Sequence, residues 1–452
     1  MKNQTIAAIA TGDAVGSISV IRISGDDAIA VAQRVFKSNS GVLLKDMKGY
    51  TAKLGKAYRN KKIIDEVIVL VFKAPYSYTG EDMVEFFCHG GIFVTRQILE
   101  SLLLSGAAPP GPGEFTKRAY LNGKMSLIKA ESVMNIISAQ GTQSLNAALV
   151  ASEGKTYKKI QLIKEDLTVL AAQFAASCDE EDVPEINQND IKSTLEVNKN
   201  KLLDLISNYE KGKIIREGLR TAIIGSPNVG KSTLMNLLTK SERSIVTDIA
   251  GTTRDTVEEI VQLSEITLRL IDTAGIRETS DPIEKIGVER AEKERKNADL
   301  ILTVFDASRD LTKEDIKILN NTESNLNIAI INKIDLPYKV DKTRIISKIP
   351  FYIEISLNEG TNAKGLEEKI LEATNISGIG PNQEFLITQR QLCAARSVLS
   401  EVESALDNLK TTTLDVVFIH IEEAINKICE LTGEKITDAI SEEVFSRFCV
   451  GK

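Results

Sequence analysis

Tryptophan is absent from the 452 residues and histidine occurs only twice. The five cysteines, Cys88, Cys178, Cys393, Cys429 and Cys449, are scattered, form no C-x-x-C pair and have only His89 and His420 to join them. That usage excludes a zinc-ribbon or disulfide scaffold and fits free thiols in a reducing compartment. No apolar run approaches the ~20 residues a bilayer span needs, and nothing near Met1 reads as a signal peptide, so a cytoplasmic protein without membrane contact is expected. Positive charge is also short: the formal net charge is -7, so no global field draws the chain to nucleic acid, and any RNA contact must use a local patch or a partner. What remains is ordinary soluble composition, 42% hydrophobic and 26% charged, in a chain long enough for about two to four domains.

Against that background one stretch stands out. Gly225–Thr233 (G-S-P-N-V-G-K-S-T) fits the phosphate-loop pattern G-x-x-x-x-G-K-[ST], with a buried-strand run, Thr221–Ile224, before it and a helical run, Leu234–Leu238, after it. Such a loop turns its amide N–H groups and a helix N-terminus toward a polyphosphate, so Asn228, Val229, Gly230, Lys231, Ser232 and Thr233 are candidate nucleotide contacts. Lys231 would reach the β and γ phosphates, and the Ser232 hydroxyl would meet magnesium. Asp272, Thr273, Ala274 and Gly275 end an apolar strand, Leu268–Ile271, where a carboxylate can hold magnesium through water and a glycine N–H can sense the γ-phosphate. Asn332, Lys333 and Asp335 follow the strand Ile328–Ile331, and the Asp335 carboxylate can accept two hydrogen bonds from guanine that adenine cannot donate. Sites built on such a pair reject the analogue lacking it, which selects GTP over ATP.

Four segments follow in order. Residues 1–118 read as α+β, with strands at Ile6–Ile9, Ser17–Ile23 and Glu66–Phe72, a helix at Asp26–Phe36, and polar or breaker-rich loops at Tyr76–Asp82, His89–Gly91 and Pro109–Thr116. These loops suit a ligand or a plain connector equally, and a lone His89 beside two glycines is more often structural. Residues 119–215 read as helical: Ile160, Ile163, Leu167, Leu170 and Phe174 recur at helix spacing, as do Leu195, Leu202, Leu205 and Tyr209 on a second helix, with a solvated acidic loop, Asp179–Asp182, between. Residues 216–378 alternate strands and helices in doubly wound fashion, and 379–452 return to helix, with Leu392, Ala395, Val398 and Leu399 on one and Ile421, Ile425, Ile428 and Leu431 on another. Neither helical flank is long enough for its own core, so one discontinuous all-α domain interrupted by an α/β nucleotide domain is expected. Phe448 and Cys449 so near the end argue for a docked terminus, with Cys449 as a small buried residue of that tail.

The runs Ile21–Gly25 (I-R-I-S-G), Ser77–Asp82 (S-Y-T-G-E-D), Pro112–Thr116 (P-G-E-F-T), Leu121–Lys124 (L-N-G-K), Thr247–Asp255 (T-D-I-A-G-T-T-R-D) and Phe448–Lys452 (F-C-V-G-K) complete a pattern spanning essentially the whole chain. It resembles the MnmE (TrmE) family of tRNA-modification GTPases. The resemblance implies a multidomain protein: an α+β N-terminal domain for folate binding and dimerisation, a discontinuous helical domain, and an inserted α/β P-loop GTPase domain of Ras-like fold. It implies a homodimer that joins an FAD-dependent partner of the MnmG (GidA) type in a heterotetramer. Together they would install a carboxymethylaminomethyl-type group at C5 of the wobble uridine of certain tRNAs, with a 5-formyl or 5,10-methylene tetrahydrofolate as one-carbon source and FAD on the partner alone. Carried over by position, Arg22, Glu85, Lys124 and Lys452 would bind folate. The sequence departs from the family's usual run at Thr11–Gly16, which lacks a proline, at Gly111, where an arginine is usual, and at Ser126, where an acidic residue is usual.

Hydrolysis needs an oriented water and added positive charge. The position after D-x-x-G that often supplies a glutamine is Ile276, which cannot orient water, and Arg254 and Arg277 are arginine-finger candidates by position. The resemblance assigns the catalytic role to Glu284 instead. It places a potassium ion on Asn228, Thr247, Ile249 and Thr252, with GTP-dependent pairing of two nucleotide domains, and sets Thr253 beside Ser232 on magnesium. Thr247, Asp248, Ile249, Ala250, Gly251, Thr252 and Thr253 would then line the nucleotide, as would Ser356 in the run Ser356–Asn358, whose backbone N–H groups are expected to meet guanine. A ribosome-assembly GTPase switch without folate chemistry is the alternative, and would have no use for the N-terminal ligand set.

Overall fold

The computed structural model describes residues 4–12, 14–139, 141–179, 187–240, 259–263, 266–271, 298–321, 326–360, 362–374, 384–435, 444–446 and 448–451. These form two compact units, one from 1–134, 157–195 and 400–452, the other from 135–156 and 196–399. Among the described residues no helix is long and apolar enough to cross a membrane.

The first unit holds a six-stranded sheet built from β1 (Ile6–Ile9), β2 (Ile18–Ser24), β3 (Phe36–Ser38), β4 (Thr51–Arg59), β5 (Lys62–Phe72) and β6 (Met83–His89), in the order β1-β2-β6-β5-β4-β3. Pairing is antiparallel throughout. Alternation sends Ile21, Ile23, Val67, Val69, Val84 and Phe86 into one core beneath the helices Ala28–Val35 and Ile92–Leu104, whose Val31, Val35, Ile98 and Leu102 complete it. The opposite face carries Arg22 directly across from Glu85.

Parts of the two helical flanks, 157–195 and 400–452, share the first unit. The helix Lys155–Asp179 buries Ile160, Ile163 and Leu167, and its Phe174 stacks on Phe418 of the helix Leu414–Thr432, centroids 3.9 Å apart. Just past the end of that second helix, Glu434 accepts from Gln161 at 2.6 Å and pairs with Lys164. Burial pushes the Glu434 carboxyl up, but the bonds from Lys164 and Gln161 outweigh it and hold the group below its ordinary value. One expectation needs correction: Leu195, Leu202 and Leu205 lie on the helix Gln188–Ser207, but Tyr209 opens the separate helix Tyr209–Glu217. Ser207 and Asn208, whose side chains compete for the backbone, interrupt the run, while the Tyr209 ring remains buried and its hydroxyl donates to Gln389.

The second unit is doubly wound, as read from the sequence. Its six-stranded sheet comprises β7 (Leu219–Ile224), β8 (Glu259–Gln262), β9 (Thr267–Leu270), β10 (Leu300–Asp306), β11 (Leu326–Asn332) and β12 (Phe351–Ile355), in the order β12-β11-β10-β7-β9-β8. All neighbours are parallel except β8 with β9. The central β10 is buried along its whole length, the continuous apolar pattern of a strand covered on both faces. Asp306 and Asn332, opposite each other in register, bring the ends of β10 and β11 to one edge of the sheet.

Candidate functional site

β7 runs straight into the phosphate loop, and the helix Lys231–Lys240 leaves it. Val229 is fully buried and anchors the loop in the apolar core, between the polar Asn228 and Gly230. Gly230 has φ +109, and a Cβ there would stand 2.3 Å from the Asn332 side-chain nitrogen, so only glycine fits. The Lys231 ammonium folds back over its own loop and donates to the carbonyls of Gly225 at 2.7 Å and Ser226 at 2.9 Å. Burial holds its pKa below the ordinary lysine value, against the opposing pull of Glu314 and Asp315. A polyphosphate would offer this ammonium stronger acceptors than two neutral carbonyls. Ser232, on the first turn of the helix, is exposed.

The guanine-motif residues close on this loop. Asn332 donates from its side chain to the Val229 carbonyl at 2.8 Å and accepts the Leu357 N–H at 3.1 Å. Lys333, at φ +66, reaches back to the Asn228 carbonyl at 2.9 Å and to Asp306 at 2.6 Å. Burial acts to raise the Asp306 carboxyl, yet the bonds from Lys333 and Ser308 prevail and leave it below the usual carboxylate range. Asp335 is exposed two residues beyond, and Ser356 is buried with its hydroxyl taken by the Glu359 N–H. The expectation for Ser356–Asn358 is adjusted here, because the Leu357 N–H is directed at Asn332.

In the first unit, β2 and β6 set Arg22 and Glu85 side by side, both Arg22 contacts falling on Glu85 Oε1 at 2.8 Å. The guanidinium lies 5.5 Å from the Tyr78 ring centroid and 5.8 Å from that of Phe115. Lys124 extends toward the same loop system, donating to the Pro75 carbonyl at 2.9 Å. A buried carboxylate organises the loop Tyr76–Asp82: Glu81 accepts from Ser24 at 2.7 Å and pairs with Arg118, which also holds Glu114. His89, read as structural, pairs with Asp65 at 2.7 Å.

The N-terminal residues 5–124 match the family model described as "GTP-binding protein TrmE N-terminus", and 127–449 match the "MnmE helical domain". A tRNA modification GTPase MnmE of Lactobacillus gasseri is 42% identical over 99% of this chain and 98% of its own length. That of Acetivibrio thermocellus is 39% identical over the full length of both. The chain belongs to the MnmE family.

Several of the candidate residues, whether read from the motifs or carried over from the MnmE resemblance, lie outside the described residues: Thr247 to Thr253, Arg254, Asp272 to Gly275, Ile276, Arg277, Glu284 and Lys452. The MnmE tail can be followed to Gly451. Phe448 is buried, the Cys449 carbonyl accepts the Gly113 N–H at 3.4 Å, and a Cβ on Gly113 would stand 2.7 Å from Phe448, so the terminus is docked as expected. Cys449 itself departs from expectation, since its side chain is exposed. The tail docks through the Phe448 ring and the Cys449 backbone, which leaves the thiol outside. Sequence reading did not single out Ser226, Asp306, Arg309 or Asp315. Asp306 carried a weak signal, a carboxylate closing a strand that is apolar but for Thr303, and the others carried none.

Proposed function

We propose that the chain hydrolyses GTP at the phosphate loop and the β11 loop, in the service of tRNA modification in the cytoplasm. The observation that carries this is Asn332, which joins the loop that would hold phosphates to the loop that would read guanine. Lys231 would exchange its carbonyl partners for the β and γ oxygens, the loop amides would face the phosphates, and Asp335 would accept the two guanine N–H groups. Ser232, a hard hydroxyl ligand at the helix start, and Thr253 would hold magnesium, which when bound neutralises charge on the phosphoryl oxygens. The exposed Asn228, with Thr247, Ile249 and Thr252, would hold potassium, and Glu284 would orient water. Domain limits of 1–118, 119–215 with 379–452, and 216–378 are part of the same reading.

The finer reading is a homodimer that works with an FAD-dependent MnmG (GidA) type partner on the wobble uridine of tRNA, with a tetrahydrofolate one-carbon unit bound by Arg22, Glu85, Lys124 and Lys452. Arg22 engages only Oε1 of Glu85 in its two contacts, so the pair can stay intact while Oε2 accepts from a pterin edge. The half-buried Tyr78 ring beside the guanidinium would offer a flat face to such a ring, while Phe115, fully buried, packs against the guanidinium from the core. The test is mass spectrometry of nucleosides from the tRNA of cells lacking the chain. C5-substituted wobble uridine should disappear and return with the wild-type chain but not with Asp335→Asn. Unchanged tRNA would refute the modification role and favour the assembly switch.

A further inference from the structure

The helix Lys313–Asn320 begins with a capping box in which Thr312 and Asp315 exchange hydrogen bonds. That local role uses one carboxylate oxygen: Asp315 Oδ2 accepts from the Thr312 N–H at 2.9 Å and its hydroxyl at 2.7 Å. The other oxygen points elsewhere. Oδ1 accepts the Ser226 hydroxyl at 2.6 Å, from a residue 89 positions away in the first turn of the phosphate loop. Asp315 is 2% exposed and Ser226 3%, so this is a desolvated, charge-assisted bond of the stronger kind.

The contacts continue. Arg309 pairs with Asp315 Oδ2 at 3.2 Å and lies 3.8 Å from Asp306 Oδ2. Asp306 binds Lys333, and Lys333 holds the Asn228 carbonyl. Two carboxylates and two cations thus form a neutral relay that grips the phosphate loop at Ser226 and again at Asn228. Helix capping explains none of the links beyond Thr312.

We infer that Asp315 is a positioning residue for the polyphosphate of a guanine nucleotide, fixing the phosphate loop through Ser226 within a relay that ends at the guanine-reading Lys333. This rests on the proposed GTP site. Because the relay sets where the loop amides stand and touches no reacting atom, it governs nucleotide binding more than the chemical step. The experiment is steady-state GTP hydrolysis by the full chain, with fluorescent GDP titration, for wild type, Ser226→Ala, Asp315→Asn and the double variant. Ser226→Ala, which deletes one hydroxyl and spares the fold, should raise KM and weaken GDP binding about tenfold with kcat within about twofold, as loss of a hydrogen bond to a charged group implies. The double variant should be no worse than the poorer single, the sign of one shared interaction. Wild-type turnover with an unchanged KM in Ser226→Ala, or losses that multiply in the double variant, would overturn this inference alone. A wild-type chain that neither binds nor turns over GTP would overturn the proposed site and this inference with it.

Discussion

Replacing Asn332 by alanine removes two hydrogen bonds at once and strands both partners in the interior. Val229 is fully buried and Asn332 is 4% exposed, so neither the Val229 carbonyl nor the Leu357 N–H gains ready access to water. Stranding each buried partner costs about 1–2 kcal/mol, for a total of about 2–4 kcal/mol. If the phosphate and guanine loops separate, that energy comes out of nucleotide affinity as a loss of roughly thirtyfold to a thousandfold. Titration with a fluorescent GDP analogue measures it, with circular dichroism showing that the sheet β7 to β12 persists. GDP affinity within about threefold of wild type, in a folded variant, would refute the idea that this side chain holds the two loops together.

Other consequences are equally direct. Gly113→Ala, at φ +63 and against Phe448, should release the C-terminal tail and speed hydrogen exchange over 444–451, while unchanged protection would contradict the docking. The depressed Asp306 carboxyl contributes stability that is complete above the ordinary carboxylate pKa and fades as pH falls through its lower folded value, so Asp306→Asn should flatten the acid limb of the stability curve; an unaltered limb would count against the relay. GTP turnover should be faster in potassium than in sodium at equal ionic strength, with the difference lost in Asn228→Ala; equal rates in wild type would remove potassium from the mechanism. Glu85→Gln should weaken binding of 5-formyltetrahydrofolate by about tenfold, measured by calorimetry, and no change would dissociate Glu85 from a pterin.

The phosphate loop and the guanine motif were legible because each is contiguous, and the loop's backbone geometry is written in its glycines: Gly230 must be glycine where Asn332 comes within 2.3 Å of its missing Cβ. The doubly wound sheet was legible from the apolar runs that became β7, β9 and β11, and the union of the helical flanks from their being too short for separate cores, a union seen where Phe174 stacks on Phe418. What stayed hidden depends on proximity between distant segments. Ser226 and Asp315 are 89 residues apart, and a serine in a loop and an aspartate at a helix start each have an ordinary local explanation. Arg22 and Glu85 were both singled out, yet their mutual pairing follows from the register of β2 on β6, which a one-dimensional reading does not contain. The exposure of Cys449 was misread for a related reason: burial of the tail was inferred for the whole segment, whereas Phe448 and Gly451 are buried and Cys449 and Val450 between them are exposed.

The most direct test of the site is nucleotide selectivity of turnover. Purified chain should hydrolyse GTP in potassium and magnesium and leave ATP essentially untouched, and Asp335→Asn should lose GTP turnover while gaining activity on xanthosine triphosphate, whose 2-oxo group accepts where guanine donates. Comparable hydrolysis of GTP and ATP, or GTP turnover undiminished in Asp335→Asn, would contradict a guanine-specific site at the end of β11.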